Sequence, residues 1–363
     1  MAGIYVHIPF CRSRCAYCDF FSTTREGELP HYVEILCREM KERRDEFADT
    51  RVRTIYIGGG TPSLLSATQL QRILDCISAN YAVEEEAEVT VEMNPDDRFL
   101  PHVNRISLGI QTFDDDLLRL IRRRHDSQTA VCAVKRLQEA GIRNISIDLI
   151  YGLPGQTMAQ WEHDLDTAFS LGIQHLSAYA LSYETGTLLT RWRDEGRVAE
   201  TDEEISVAMY QRLCQRAREA GFEHYELSNF ALPGFHSRHN SSYWTGEPYL
   251  GFGPGAHSYD GQRTRRVNEA DLDAYFNNPL KGSFERLSTT ELYDEAVMCG
   301  LRTRRGIDIK QLAVRFGDTQ RAYLLHMAEP HLRTGRLVLT DNRLRLTEQA
   351  IMISDDIMSD LMA

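Results

Sequence analysis

Residues Ile4–Phe20 read IYVHIPFCRSRCAYCDF, a short β-rich run followed at once by three cysteines within eight residues, Cys11, Cys15 and Cys18. A strand is expected over Ile4–Ile8, with the cysteines on the loop behind it. In a chain from a reducing compartment such a cluster serves a metal or redox site more often than a disulfide frame. A zinc ribbon or finger wants four ligands, usually as two separated pairs, and the sequence offers no second pair of that kind. A thioredoxin-like motif needs CxxC alone and would leave Cys11 surplus. Three thiolates on one tight loop suit an iron–sulfur cubane with three irons held and the fourth left open, and an open metal position is where substrate or cosubstrate binds. The other five cysteines, Cys37, Cys76, Cys132, Cys214 and Cys299, stand singly in helical patterns, where a buried thiol behaves as a small apolar side chain.

Working outward, β-rich runs recur at Thr54–Ile57, Glu88–Glu92, Ile106–Ile110, Ile145–Leu149, His175–Ala180 and His224–Leu227. Helical patterns lie between them. Ser66, Ser127, Thr157 and Thr201 stand at their starts, and Gly141, Gly172 and Gly221 stand just past three of their ends. Repetition of strand, loop and helix argues parallel βαβ units. About six units make a full or partial TIM-type barrel, with a doubly wound open sheet as the alternative. The connection Asn94–Arg105, NPDDRFLPHVNR, has room for one helical turn at most, which predicts a barrel thin or exposed on that side.

From about Phe230 the character changes. Pro233–Gly261 is rich in Gly, aromatics and His and reads as a long functional loop. Beyond Leu287 the chain is helical again and ends in two strand-like runs joined at Asp341-Asn342, followed by a last helix. The expected organisation is residues 1–230 as a partial barrel, 231–286 as loop and linker, and 287–363 as a small α+β winged-helix-like domain.

Length and composition bound the rest. The chain has 363 residues, 42% hydrophobic and 26% charged, enough for a large core and about two domains. Its formal net charge of −12 disfavours a nucleic-acid partner. There is neither a membrane-spanning apolar run nor a secretion signal in MAGIYVHIPF, so a cytoplasmic protein is expected.

In parallel barrels the chemistry sits at the C-terminal ends of the strands. There the sequence places the cysteine loop, then Gly58–Pro62 (GGGTP), then Glu92, Gln111 and Asp148. The glycines permit close approach of backbone to a ligand, and GGGTP is no phosphate-binding Walker loop, since no Lys follows. Singly, each polar residue reads as a solvated or capping group. At successive strand ends beside the cysteines they point to one shared ligand site.

These residues resemble a known family. CxxxCxxC behind one strand, with GGGTP behind the strand that follows, is similar to the radical S-adenosylmethionine (SAM) superfamily. IGGGTPS, RISLGIQTF and IDLIYGLPGQT resemble, within it, the branch of anaerobic coproporphyrinogen oxidases and their HemW-type heme-chaperone relatives. The resemblance covers essentially the whole chain. It implies a 4Fe-4S cluster on Cys11, Cys15 and Cys18, whose unique iron chelates SAM. Tyr5 and Tyr17 are implied beside the cluster and nucleoside, Gly59, Gly60 and Thr61 at the methionine end, and Glu92 on SAM. Gln111, Arg123 and Asp148 match positions that bind a further SAM in the oxidases. Reductive cleavage of SAM is chemistry of the cofactor, not of side chains.

Two features separate the branches. Oxidases carry a fourth cysteine two places after the third, where this chain has Phe20. The chaperones have an HNxxYW signature, which here is His239-Asn240-Ser241-Ser242-Tyr243-Trp244. The implied task is to bind heme and pass it to acceptor proteins such as membrane-bound respiratory enzymes, with the chain as a homodimer. The alternative is oxidative decarboxylation of coproporphyrinogen III in porphyrin biosynthesis. His239 is the heme-contact candidate, with Tyr243 and Trp244 to stack on the porphyrin, unless this histidine only orders its loop. His257 is a further candidate, and His7 reads as structural.

Overall fold

A computed structural model describes residues 2–47 and 50–363. The first two-thirds runs β1 (Ala2–Ile8), α1 (Leu29–Glu42), β2 (Val52–Gly59), α2 (Ala67–Asn80), β3 (Val83–Met93) and β4 (Arg105–Gln111). It continues with α3 (Asp115–Leu120), α4 (Ser127–Glu139), β5 (Ile145–Tyr151), α5 (Met158–Ser170), β6 (His175–Ala180), α6 (Leu188–Asp194) and α7 (Glu203–Glu219). Strands β1 to β6 pair in sequence order, every pair parallel. β5 shows why: ISIDLIY is buried at all but its central Asp148, as a strand packed on both faces requires. Helices cover the outside, and Trp161 of α5 is fully buried with its indole N–H donating to the Met209 carbonyl of α7 at 2.8 Å. This is the partial barrel the sequence predicts.

Several details differ from the sequence reading. Ser66 and Thr157 do cap α2 and α5 through reciprocal capping boxes with Gln69 and Gln160. For α4, however, the cap is Asp126, whose carboxylate accepts from Thr129 N at 2.8 Å, and Ser127 is already helical. Thr201 does not cap α7. Its hydroxyl donates to the Gly152 and Leu153 carbonyls, and Asp202 takes the N-cap position.

The run at His224–Leu227 forms a strand but does not pair with β6 as a further parallel neighbour. β7 (Glu223–Glu226) and β8 (Asn229–Ala231) form a hairpin, and β8 lies antiparallel on β6. The two-residue link is far too short for a crossover. The side predicted to be thin is intact as well. β3 and β4 pair from Thr90↔Arg105 to Met93↔Leu108, buried Leu100 seals the link with Phe99 and Val103 against the core, and Arg136 of α4 donates to the Pro95 carbonyl.

Residues 231–286, expected as loop and linker, carry α8 (Arg238–Trp244), β9 (Tyr249–Phe252), β10 (His257–Tyr259), β11 (Thr264–Asn268), α9 (Leu272–Asn277) and β12 (Gly282–Arg286). β9 lies parallel to β1, and the others extend the sheet to the order β12-β11-β10-β9-β1-β2-β3-β4-β5-β6-β8-β7. Two of the glycines that suggested a loop are there for close packing: a Cβ at Gly251 would overlap the His257 carbonyl oxygen, and one at Gly253 would crowd the Tyr32 hydroxyl and the His7 carbonyl. A buried network locks this extension to α1. Glu39 receives Arg43 Nη1 at 2.7 Å, Asn268 Nδ2 at 2.8 Å, Tyr275 Oη at 2.7 Å and the Gly253 amide at 2.9 Å.

The C-terminal unit comprises α10 (Thr289–Leu301), β13 (Ile307–Asp308), α11 (Ile309–Phe316), α12 (Asp318–Arg333), β14 (Leu337–Thr340), β15 (Arg343–Leu346) and α13 (Ser354–Leu361). Its sheet is ordered β13-β15-β14, and Asp341 and Asn342 both have positive φ (50° and 61°), the mark of a type I′ hairpin turn. Tyr293, Leu324, Leu344 and Leu361 belong to a core of its own. Backbone bonds from Arg304 N to Tyr225 O and from Leu227 N to Arg302 O tie it to the β7–β8 hairpin. Among the described residues no helix is long and apolar enough to cross a membrane.

Candidate cofactor-binding site

The three cysteines follow β1 and line one cavity of about 470 Å³ at the C-terminal ends of the parallel strands. Cys11 is buried, and Cys15 and Cys18 are partly exposed. Thr61 Oγ1 donates to Cys11 Sγ at 3.4 Å, and Arg123 Nη1 donates to Cys15 Sγ at 3.3 Å. Burial pushes the Cys11 thiol up and the Cys18 thiol up to about 11, each further raised by the neighbouring cysteines. Among the described residues no three His, Cys, Asp or Glu side chains converge closely enough to hold a single ion. The three cysteines instead share the lining of one cavity.

β2 delivers Gly59, Gly60 and Thr61 to the same wall. Gly60 must be glycine for a local reason. A Cβ there would lie 2.8 Å from the Phe10 carbonyl and 3.0 Å from Cys11 Sγ, so only bare backbone fits between the cysteine loop and the cavity. Glu92 of β3 accepts from Tyr56 Oη at 2.7 Å and from the Gly59 amide at 3.0 Å. Burial outweighs these donors and pushes its carboxyl up to about 7.

β4 shows how strand geometry builds the site. Arg105, Ser107, Gly109 and Gln111 alternate along it and all line the cavity, while Ile106, Leu108 and Ile110 are buried in the core. Gln111 has φ 73°, at a register shift between Gly109 and Gln111, a bulge that re-aims the strand end. Asp148 of β5 accepts from Ser107 Oγ at 3.2 Å, and burial raises its carboxyl. Arg123, after α3, donates to Asn94 Oδ1 at 2.6 Å and to the Gly109 carbonyl, while its buried Nε has no partner among the described residues. Tyr17 completes the cysteine side.

Tyr5 and His239 are not brought to this cavity. Tyr5 stacks on Tyr56, its hydroxyl 2.9 Å from His7 Nδ1, and His7 Nε2 bonds the Phe21 carbonyl in the structural role expected of it. His239 of α8 is buried, with Nδ1 2.8 Å from Thr54 Oγ1 and Nε2 2.9 Å from Tyr243 Oη. Both ring nitrogens are therefore taken, and the side chain orders its segment. His257 is exposed on β10, away from this cavity. The sequence reading missed Arg105, Ser107 and Ser177 as cavity residues. The period-two alternation of RISLGIQ was the signal that could have found the first two.

The donor set fits the groups the resemblance implied. Three thiols share a cavity with Gly59, Gly60, the Glu92 carboxylate and the guanidiniums of buried Arg105 and half-buried Arg123, groups that a zwitterionic amino-acid ligand can use.

A parallel partial barrel with a three-cysteine loop after β1 and a glycine turn after β2 defines the radical SAM class, and the Radical SAM superfamily model matches residues 5–168. The HemN C-terminal domain matches residues 287–353. The chain is 34% identical to heme chaperone HemW of Bacillus subtilis (strain 168), over 98% of each chain. It is 38% identical to heme chaperone HemW of Synechocystis, covering 88% of this chain and 82% of that protein. Among solved structures it superposes on coproporphyrinogen III oxidase HemN from Escherichia coli with a TM-score of 0.85, covering 100% and 90% of the two chains at 22% identity. That likeness is one of fold. The chain belongs to the HemW family of the radical SAM superfamily.

Proposed function

We propose that this protein is a cytoplasmic heme chaperone that binds heme and hands it to acceptor proteins, among them respiratory enzymes at the membrane, with the cluster aiding self-association or transfer. The observation that carries the reading is Phe20. It stands where the oxidases have a fourth cysteine and is 62% exposed at the cavity mouth. Heme chaperones HemW at 34–38% identity support the same reading.

In this reading Cys11, Cys15 and Cys18 hold a 4Fe-4S cluster, and Arg123 steadies the Cys15 thiolate by its N–H donation. Glu92 and the Gly59–Thr61 backbone receive the amino-acid end of SAM. Gln111, Arg123 and Asp148 face the position of a further SAM. A cluster with SAM bound supplies one-electron reductive cleavage of the sulfonium. A cationic amino group beside Glu92 would draw its carboxyl, now poised at about 7, into the ionised form.

The test is a side-by-side assay on one anaerobically reconstituted preparation. Saturable heme uptake and transfer to an apo-heme protein, without consumption of coproporphyrinogen III, is the expected result. Consumption of that substrate with SAM and a reductant would instead establish the oxidase, and absence of heme binding would end the chaperone reading. Cys15→Ala should abolish the cluster and leave heme uptake intact.

A further inference from the structure

Resting on the heme reading, we infer that heme docks outside the barrel, in the groove that residues of β7, α8, β9 and β10 form with the C-terminal unit, its carboxylates held by Arg304 and Arg315. The groove has a volume of about 960 Å³, against about 470 Å³ for the cysteine cavity, and lies in the range of sites that engulf a ligand of heme size. The cysteine cavity is lined by charged side chains and has a cluster and SAM to house. The groove is walled by Tyr243, Trp244 and Tyr249 on the barrel side and by Leu292, Met298 and Phe316 on the other, surfaces suited to the two faces of a flat apolar macrocycle.

Charge completes the match. Arg265 and Arg343 in the groove are paired, with Glu295 at 2.8 Å and Asp308 at 3.1 Å. Arg304 and Arg315 are exposed there, and no carboxylate lies within 4.0 Å of either among the described residues. Two exposed guanidiniums without a close ion pair, Arg315 also bonding Tyr259 and feeling Glu295 at longer range, are what a planar dicarboxylate can recruit on the rim of an aromatic groove.

The groove also offers an imidazole. His236 stacks on Tyr225 with ring centroids 4.2 Å apart, and its Nε2 bonds Glu223 at 2.9 Å. That partner fixes the ring and leaves Nδ1 for iron, the arrangement usual for a ligating histidine. His239, three residues on, has neither nitrogen to spare.

Heme and metal-free protoporphyrin IX are titrated separately into the full-length protein, reading Soret absorbance and tryptophan quenching. The Arg304→Glu/Arg315→Glu double variant should weaken both ligands at least tenfold. His236→Ala should change the heme spectrum and leave protoporphyrin affinity within twofold. Ala296→Trp, which fills the groove without altering charge, should weaken both ligands and guards against a folding defect in the double variant. If wild type binds heme, and both the charge reversal and Ala296→Trp bind it equally well, the groove is wrong while the chaperone reading stands. If wild type binds neither ligand, the chaperone reading itself falls and takes the groove with it.

Discussion

Thr54 of β2 and His239 of α8 are joined by a hydrogen bond of 2.8 Å, 185 residues apart in sequence, and the far nitrogen of the same ring meets Tyr243 Oη at 2.9 Å. The ring also lies on Tyr56, centroids 5.1 Å apart. His239→Ala should therefore cost about 2–4 kcal/mol in urea unfolding, from lost packing and two orphaned polar partners. Burial holds the imidazole at about 3 rather than 6.5, so the folded state binds fewer protons than the unfolded one between those values. Stability should fall as pH drops from 6.5 toward 3, and the fall should be shallower in His239→Gln. Heme affinity of folded His239→Gln should match wild type.

Glu92 gives the opposite slope. Its carboxyl is raised by burial from 4.5 to about 7, so the folded state holds its proton more tightly. Stability should decline as pH rises from 4.5 to 7 and then level off. Glu92→Gln should remove that decline and gain on wild type by about 1–2 kcal/mol above pH 7, the desolvation relief less one lost acceptor. Denaturant midpoints of the SAM-free protein at pH 5, 6, 7 and 8 check it. The same variant should weaken SAM at least tenfold.

Arg123 reaches Cys15 Sγ, Asn94 Oδ1 and the Gly109 carbonyl at once. Lysine is a point charge without the planar fork and cannot span all three. Arg123→Lys should retain the fold by circular dichroism but lower SAM affinity at least tenfold in calorimetry and shorten the lifetime of the cluster absorbance.

Gly60→Ala would place a methyl 2.8 Å and 2.9 Å from the Phe10 and Ile8 carbonyls and 3.0 Å from Cys11 Sγ. Backbone on the cysteine loop must then move. Iron per chain after reconstitution should fall at least twofold, and Cys15→Ala, the control, should hold no cluster. Equal iron in Gly60→Ala and wild type would show that the loop tolerates the displacement.

The β-rich runs of the first six strands announced the parallel barrel because burial on both faces demands such composition. The cysteine spacing and GGGTP announced the wall of the candidate site because both are local in sequence. The reading failed where chemistry depends on distant packing. The glycines of Pro233–Gly261 read as a loop, and only the close approach of Gly251 to His257 reveals why that position is glycine. Arg105 went unnoticed because a charged residue at a strand start reads as solvent-facing until the barrel curls it inward, to 1% exposure.

By itself the sequence determined the cysteine trio, the glycine turn and the order of the βα units, since each is written in neighbouring residues or in a short period. Which histidine is free was decided by tertiary structure alone. His236 and His239 are three residues apart on one segment. Packing of α8 on β2 buries one ring between two partners, and the β7 edge leaves the other facing the groove, a difference no local pattern encodes.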